Sequence, residues 1–571
     1  MKAFYLLVFL TWAAPSFAIV DMKSANYSES WTDLIVPGIG YDLRVNRTYN
    51  SRAIYSGLFG FGWCSDFETK IEVTAEGNIK LTECGAGMET TYTPKGFNGK
   101  NIDGTIKDII AELKKRKPDL KADYLASLQD EMRNSDYMRD ELSRRLGLNK
   151  TKIEDGKAYF ANGKEAENIV LKDRSYKRSL TDSTYQLFDS QTGKMTHMYD
   201  KNGNYLKLTW DKDRLLNVTD NAGRKLTLKY DPTTKKISSI VGPNDLVATY
   251  VIKNEDLVQV IDSKRERYIY QYDDLHNLEK VTYPNDTYVK LTYNKDKDWV
   301  TTFRNRKGCI ETYDYQVNPE DPKNHFWSNV VKKCGDKVTN QSKYEFFHRP
   351  KSNGPGVYLY RVRSEINGDV SDVVYHEVFG RPVSMVKGNV RTDFTYYENG
   401  LVLSKKEPGR MMNYEYKNAC LKVSSVVTRF FEYNPRSKVS DQKVPDRKTA
   451  NQEKVIKTIK TAFNYDEKKC NLDSAQNSEG QKVKLQYDNR GRIEQIEDQS
   501  KKLVKIKYEE KFGKPSIVSR PGLGTITVTY KSNGEIAKVD SKEGPTVAVQ
   551  VAGIFNSLLD LIAPATSEAP L

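Results

Sequence analysis

Reactive side chains are scarce in this chain. Its five histidines in 571 residues, His197, His276, His325, His348 and His376, fall singly in strand or turn patterns. None makes the His-Glu-x-x-His spacing of a metalloprotease helix. There is no Gly-x-Ser-x-Gly elbow for a serine nucleophile. The glycine-rich string from Gly57 to Gly62 lacks the Gly-Lys-Ser/Thr ending that holds phosphates. Among six cysteines there is no Cys-x-x-Cys pair with which to build a zinc site. Long apolar runs are missing beyond the first eighteen positions, in keeping with a mean hydropathy of −0.68. The stretch Val547–Ala563 is broken by Gln550, Asn556 and Asp560 and reads as short of a membrane span. The formal charge of +14 is spread over strand lysines such as Lys290, Lys484 and Lys505. A nucleic-acid site needs its basic residues gathered on one face, so no nucleic-acid partner is expected. These absences lead us to expect no enzyme, no cofactor, no metal and no transmembrane anchor.

What is present is a repeat. The segment Tyr199–Asp231 reads strand, tight turn, strand, and then does so again. Leu206, Leu208 and Trp210 alternate with polar residues, as do Leu226, Leu228 and Tyr230, and an Asp follows each set. Strict alternation puts one strand face on a core and leaves the other wet. Asn202-Gly203 and Asn221-Ala222-Gly223 supply the left-handed positions that tight turns require. Closing tyrosines at 230, 250, 272, 293 and 313 lie 20 to 22 residues apart, and so do those at 487, 508 and 530. Such a period marks stacked units that cannot bury their apolar faces alone. One Asp per turn is turn chemistry, and it supplies too few oxygens for calcium.

Met1-Lys2, the apolar run Ala3–Ala14 and Ser16-Phe17-Ala18 form an export leader, with Ile19 as the expected mature start. Export gives the even cysteine count a meaning, because an oxidising compartment favours disulfides. Six cysteines allow 15 connectivities. Nearest-neighbour pairing, Cys64–Cys84, Cys309–Cys334 and Cys420–Cys470, brackets three hairpins and is the expectation.

The repeat also carries a family resemblance. Tyr487-Asp488-Asn489-Arg490-Gly491-Arg492-Ile493 resembles the tyrosine–aspartate (YD) repeat of Rhs proteins. Tyr272-Asp273-Asp274-Leu275-His276-Asn277-Leu278 is a variant in which Asn277 is read in the glycine position. The segments Trp31-Thr32-Asp33-Leu34, Arg47-Thr48-Tyr49-Asn50-Ser51-Arg52 and Gly60-Phe61-Gly62-Trp63 are similar to the segment preceding the repeats in Rhs and wall-associated YD-repeat proteins. The resemblance implies that the repeats coil into a hollow β-shell like those of bacterial toxin complexes and teneurins. The Asp-Pro-x-Gly-Leu motif at which many Rhs toxins cut themselves is absent, so self-cleavage is not expected.

The expected fold is mainly β: a YD-repeat antiparallel sheet spiralling into a partial Rhs-like shell, with one α-helical insertion. The organisation read from the sequence starts with a signal peptide (1–18), an N-terminal Rhs-like segment (19–98) and the helical insertion (99–149). It continues with repeat block 1 (150–313), an irregular connection (314–360), block 2 (361–545) with a mobile loop at 434–452, and a tail (546–571) carrying a short amphipathic helix near 551–562. Within the insertion, Ile106, Ile109, Ile110 and Leu113 form one stripe. Pro118 opens the next helix, where Leu120, Tyr124, Leu128 and Met132 continue, followed by Met138, Leu142 and Leu146. This stripe is expected to pack on the shell; a partner-binding or gating role is the alternative. The residues singled out for repeat turns and core are Tyr199, Asp200, Gly203, Tyr230, Asp231, Tyr272, Asp273, Tyr487, Asp488, Gly491, Tyr530 and Gly534. The expected function is a non-enzymatic exported scaffold for surface binding or cell contact, with a glycan, an envelope polymer or another protein as partner. A shell around a separately encoded toxin or other cargo is the second reading, and an envelope hydrolase the third. Oligomeric state is left open.

Overall fold

The computed structural model describes residues 19–38, 40–83, 88–148, 153–161, 164–352, 356–432, 454–531 and 534–566. The expected leader, Cys84, the 434–452 loop and the last residues of the tail lie outside them. Among the described residues, one antiparallel sheet of 36 strands runs from Lys70–Val73 to Ile536–Ser541. Hairpin follows hairpin with almost no crossover, as expected of units that each bury their inner face against the next. The three helices α1 (Gly99–Arg116), α2 (Ala122–Asn134) and α3 (Asp136–Arg145) interrupt the chain but not the sheet. The strand before them pairs directly with the strand after them, Pro94 opposite Tyr159.

The repeat has a physical basis in two hydrogen-bond rules. Tyr230, Tyr272, Tyr293, Tyr487, Tyr508 and Tyr530 each donate the phenol to the backbone oxygen fifteen positions earlier, at 2.6–2.9 Å. Trp210 makes the equivalent bond through its indole, to the Met195 oxygen at 2.8 Å. An Asp at the start of the turn holds it, whether it follows a tyrosine, as Asp200, Asp273 and Asp488 do, or a threonine, as Asp220 does. At Asp200, Asp220, Asp273 and Asp488 one carboxylate oxygen accepts the N–H groups two and four residues on, at 2.8–3.0 Å. The structure corrects the tyrosine series in two places. Tyr250 bonds Asp33 instead, and Tyr315, not Tyr313, reaches the Val300 oxygen. In the 272–278 variant His276, not Asn277, takes the glycine position, at φ 67°. The left-handed region is open to His at a modest cost, and its ring nitrogen bonds Asp256 at 2.9 Å.

Two apolar cores organise the sheet. The inner face of the first block closes over a small sheet, Ile19–Val20, Tyr27–Val36, Leu43–Asn50 and Trp63–Ser65, which brings Leu34, Tyr49 and Trp63 against Leu226, Val260, Val281 and Leu291. The second block closes over α4 (Pro545–Thr566), packing Val551, Leu558 and Ile562 on Ala475, Leu485 and Val528. Between them the strand Asp369–Tyr375 buries no residue fully on either face, and the next three strands bury only Pro382, Phe394, Val402 and Ser404. The sheet there is a bridging ribbon.

Several expectations need correction. Residues 314–360 are not irregular: they include His325–Cys334, Lys337–Pro350 and the start of Val357–Ile366, among the longest strands present. Alternation is weaker there because aromatics occupy both faces. Pro118 lies in a turn, and α2 starts at Ala122. Leu125 is buried whereas Tyr124 is 54% exposed. The helical stripe does not pack on the shell; Ile109, Leu128 and Met132 form a separate core with one another. Contact with the sheet is polar instead. Arg139 pairs with Glu76, and Asp140 pairs with Lys80 at 3.2 Å and accepts the Ala75 N–H at 2.8 Å. The C-terminal helix is longer than read, and Pro545–Ala563, with mean hydropathy 1.6, is long and apolar enough to cross a membrane. In this fold one side of it covers the second core, and Asp560 lies on its exposed side.

Candidate functional site

The buried charge lies where the N-terminal sheet meets the first block. Arg47, with no solvent exposure, donates to Asp33 at 2.7 Å and to the Tyr270 hydroxyl at 2.5 Å. Its guanidinium lies 4.6 Å from the Trp63 ring centre and 5.0 Å from that of Trp31. Tyr250 donates to the same Asp33 carboxylate at 3.1 Å. Nearby, Glu68 turns its carboxylate inward to accept the N–H groups of Leu58 and Ser65, at 2.6 and 2.7 Å. Burial pushes that carboxyl up to about 7 against those two donors. The Arg47 cluster joins two elements and bonds within itself through Asp33, Tyr250 and Tyr270, with the buried Arg47 Nη1 left without a partner.

Open space appears where the two blocks meet. A chamber of about 970 Å³ lies between the early strands Ser175–Ser179 and Tyr185–Asp189 and the inner face of the second block. The early strands bury Tyr176 and Phe188 on one face and present Lys177, Ser179 and Tyr185 to the chamber from the other. The second block contributes Phe394, Tyr414, Tyr465, Leu485 and Tyr487, and α4 contributes Ile562. The repeat rules hold this wall rigid, since Tyr487 bonds the Leu472 oxygen at 2.8 Å and Tyr465 the Val423 oxygen at 3.0 Å.

Three ties hold the halves around the chamber. Lys422 donates to the Thr181 oxygen at 2.5 Å. Gly491 sits against the Asn202 side chain, where a Cβ would come within 1.9 Å of the carboxamide. Gly534, at φ 80°, faces Pro37 of the N-terminal sheet. The disulfide Cys420–Cys470 also lines the chamber, and Cys309–Cys334 staples a hairpin of the first block. These are two of the three expected pairs, and Cys64 is also disulfide-bonded.

The chamber is cationic. Lys177, Lys201, Arg381, Lys405 and Lys422 line it, with Glu167 and Asp182 as the acids. Lys177 Nζ lies 4.3 Å from the Tyr185 ring centre, and Lys405 pairs with Glu407 at 2.6 Å. Arg381 donates to the Gly400 oxygen at 2.9 Å, and its buried Nε has no partner. Burial and the neighbouring Lys422 charge hold the Lys201 ammonium below the usual lysine range.

Of the residues singled out in the sequence, Tyr487, Gly491, Cys420 and Cys470 line the chamber. Tyr230, Tyr272 and Tyr530 serve the repeat ladder elsewhere. Among the described residues no three His, Cys, Asp or Glu side chains group to hold a metal. Sequence reading missed the chamber cations, which come from positions far apart in the chain; each alone looks like an ordinary strand lysine.

Residues 170–347 match the family described as Teneurin YD-shell, and residues 18–92 match a domain of unknown function (DUF6531). Among solved structures, the Photorhabdus luminescens Tc holotoxin pore is 10% identical over 89% of this chain and 30% of that one, with a TM-score of 0.34. The crystal structure of TcdB2-TccC3-TEV is 11% identical over 90% of this chain and 31% of that one, with a TM-score of 0.29. This chain thus spans less than a third of the length of either. No curated protein matches.

Proposed function

On the premise that this chain belongs to the Rhs/YD-repeat family, we propose that it is a non-enzymatic exported scaffold that binds a component of the cell envelope between its two repeat blocks. The observation that carries this reading is the chamber of about 970 Å³. It is assembled from repeat residues, lined by the Cys420–Cys470 disulfide and walled in part by Tyr465 and Tyr487, whose hydroxyls already serve the sheet. Side chains fixed in this way suit recognition, because a preorganised wall lowers the ordering cost of binding. The volume falls at the upper end of the roughly 300–1,000 Å³ typical of small-ligand sites.

Enclosure of a folded cargo fits less well. A 100-residue domain has a radius of gyration of about 13 Å, which corresponds to a volume more than ten times that of the chamber. The inner faces of the two blocks are also covered by the N-terminal sheet and α4.

The test is incubation of the purified chain, under oxidising conditions, with soluble envelope fragments, followed by size-exclusion chromatography. Fragments retained on the protein with unchanged length are the expected result. Shortened fragments would make the protein a hydrolase, and no retention of any fraction would overturn the reading.

A further inference from the structure

We propose that the helical insertion docks this chain on the surface of an anionic lipid bilayer, through the basic end of α1–α3. The inference is independent of the chamber and of what the chamber holds.

Charge is segregated along the insertion. Lys114, Lys115 and Arg116 close α1, and Arg144 and Arg145 close α3. Lys117 and Lys121 lie in the connection between α1 and α2. The Arg116 guanidinium donates to the Leu146 oxygen at 2.7 Å, which brings the C-terminal ends of α1 and α3 side by side. Seven cations therefore share one end with four acids, Glu112, Asp119, Asp123 and Glu141. The other end is the reverse. Arg133 pairs there with Asp103 at 3.2 Å, and Asp130, Glu131 and Asp136 lie in the adjoining turns.

The cations at the basic end remain open to solvent. Glu112 and Glu141 hold pairs along their own helices, yet the side chains of Lys115, Arg144 and Arg145 are 79%, 62% and 72% exposed. Lys114, Lys117 and Lys121 are exposed and make no ion pair among the described residues. The bonds that tie the insertion to the sheet come from Arg139 and Asp140, in the first half of α3. The basic end is thus left free for a partner.

Helix stability accounts for only part of this pattern. Cations in the last turns of α1 and α3 meet the negative ends of the helix dipoles and are favourable there. Lys121 is not. It is the N-cap of α2 and makes no capping bond, at a position where Ser, Thr, Asp or Asn would hold the first turn. Its charge also faces the positive end of the α2 dipole. A residue that breaks a local rule with no structural gain points to function. Tyr124 follows three positions on, 54% exposed, and residues at that spacing share a helix face. Tyrosine, with an apolar ring and a polar tip, is enriched at membrane–water interfaces.

A cluster of about four to eight Lys and Arg is what the surface potential of an anionic leaflet attracts. A single-stranded nucleic acid instead wants a groove with successive stacking aromatics, and this convex end offers one tyrosine. The docking is peripheral, since charged helix ends rest on a surface and do not span it.

Co-sedimentation of the full chain, under oxidising conditions, with vesicles of mixed phosphatidylglycerol and phosphatidylcholine tests the proposal. Binding is expected to these vesicles, not to phosphatidylcholine alone, and should weaken as salt rises. The triple variant Lys114→Gln, Lys117→Gln, Lys121→Gln should lose about a hundredfold in affinity, three near-surface cations' worth. Tyr124→Ser should weaken binding severalfold. The control Lys290→Gln, Lys484→Gln, Lys505→Gln removes the same charge from the outer strands and should bind like the parent. Melting temperatures should match the parent in every variant; a fall in Lys121→Gln alone would make that cation a structural one and overturn its assignment to the surface. Equal binding to both kinds of vesicle, no binding, or equal loss in the control would each overturn the proposal. Tighter binding of a single-stranded oligonucleotide that displaces the vesicles would also overturn it and make the partner a nucleic acid.

Discussion

At the scale of single residues, this protein places its most consequential polar group under the N-terminal sheet. Arg47 has no solvent exposure, and its principal counter-charge is Asp33 at 2.7 Å. Removing one partner of a buried pair strands the other, typically at about 3–5 kcal/mol. Arg47→Met should therefore cost that much in denaturant unfolding. The double variant with Asp33→Asn should recover part of the loss, and additive losses would show that the pair is not coupled. Glu68 gives a pH signature. Its folded-state carboxyl is raised to about 7 by burial, above the usual range for a carboxyl. The folded chain therefore holds a proton that the unfolded chain releases, and stability falls as pH rises through the window from about 4.5 to 7. The loss across that window is on the order of 3 kcal/mol, because each pH step of one within it weakens the fold by about 1.4 kcal/mol. Glu68→Gln should flatten this part of the stability–pH curve. A curve with the same slope in the variant would assign the effect to another group.

At the scale of elements, the helical insertion behaves as a unit with its own core. Ile109, Leu128 and Met132 bury one another, and Asp140 and Arg139 make the polar bridge to the sheet. Because Pro94 and Tyr159 already pair across its base, replacing 99–149 with a short turn should leave the sheet intact. Far-ultraviolet circular dichroism should lose helical signal while the β signal and the melting temperature persist; a collapse of the β signal would contradict this. Asp140→Leu should instead leave Lys80 buried and unpaired, and speed hydrogen exchange in α1–α3 ahead of the shell. The sequence made the helices legible through their 3.6-residue period, but not their docking, since a stripe looks the same whether it meets a sheet or another helix. The YD repeats were legible because two local rules recur: an aromatic reaching back fifteen positions and an Asp capping the next turn. Those rules could not place Tyr315 over Tyr313, because the two lie two residues apart on one face of the same strand. The chamber was illegible for a related reason. Lys177 and Lys405 are 228 positions apart, and only the meeting of the two blocks puts them in one space.

At the scale of the whole molecule, one continuous sheet carries two separate cores. The strands that connect them, from Asp369–Tyr375 to Val402–Glu407, bury little, chiefly Pro382, Phe394, Val402 and Ser404. A repeat sheet is stabilised by nearest-neighbour contacts, so a stretch poor in burial is where cooperativity should break. The first block is reinforced by the N-terminal sheet and Cys309–Cys334, the second by α4 and Cys420–Cys470. Two lobes also place mass away from the centre, so scattering from residues 19–571 should give a radius of gyration above the roughly 24 Å of a solid globule of that length. Calorimetry of the oxidised chain should resolve two transitions, one for each core. The Cys420–Cys470 bridge spans 50 residues, and closing a loop of that size stabilises by about 4 kcal/mol in the chain-entropy account. Replacing both cysteines with serine should move the transition of the second block down in temperature and leave the other in place. The assignment is checked by truncation before Pro545, which removes α4 and should lower the same transition. A single transition that shifts as a whole in both variants would mean that the ribbon transmits cooperativity despite its exposure. The ties at Lys422–Thr181, Gly491–Asn202 and Gly534–Pro37 would then be the elements that fuse the two blocks into one folding unit.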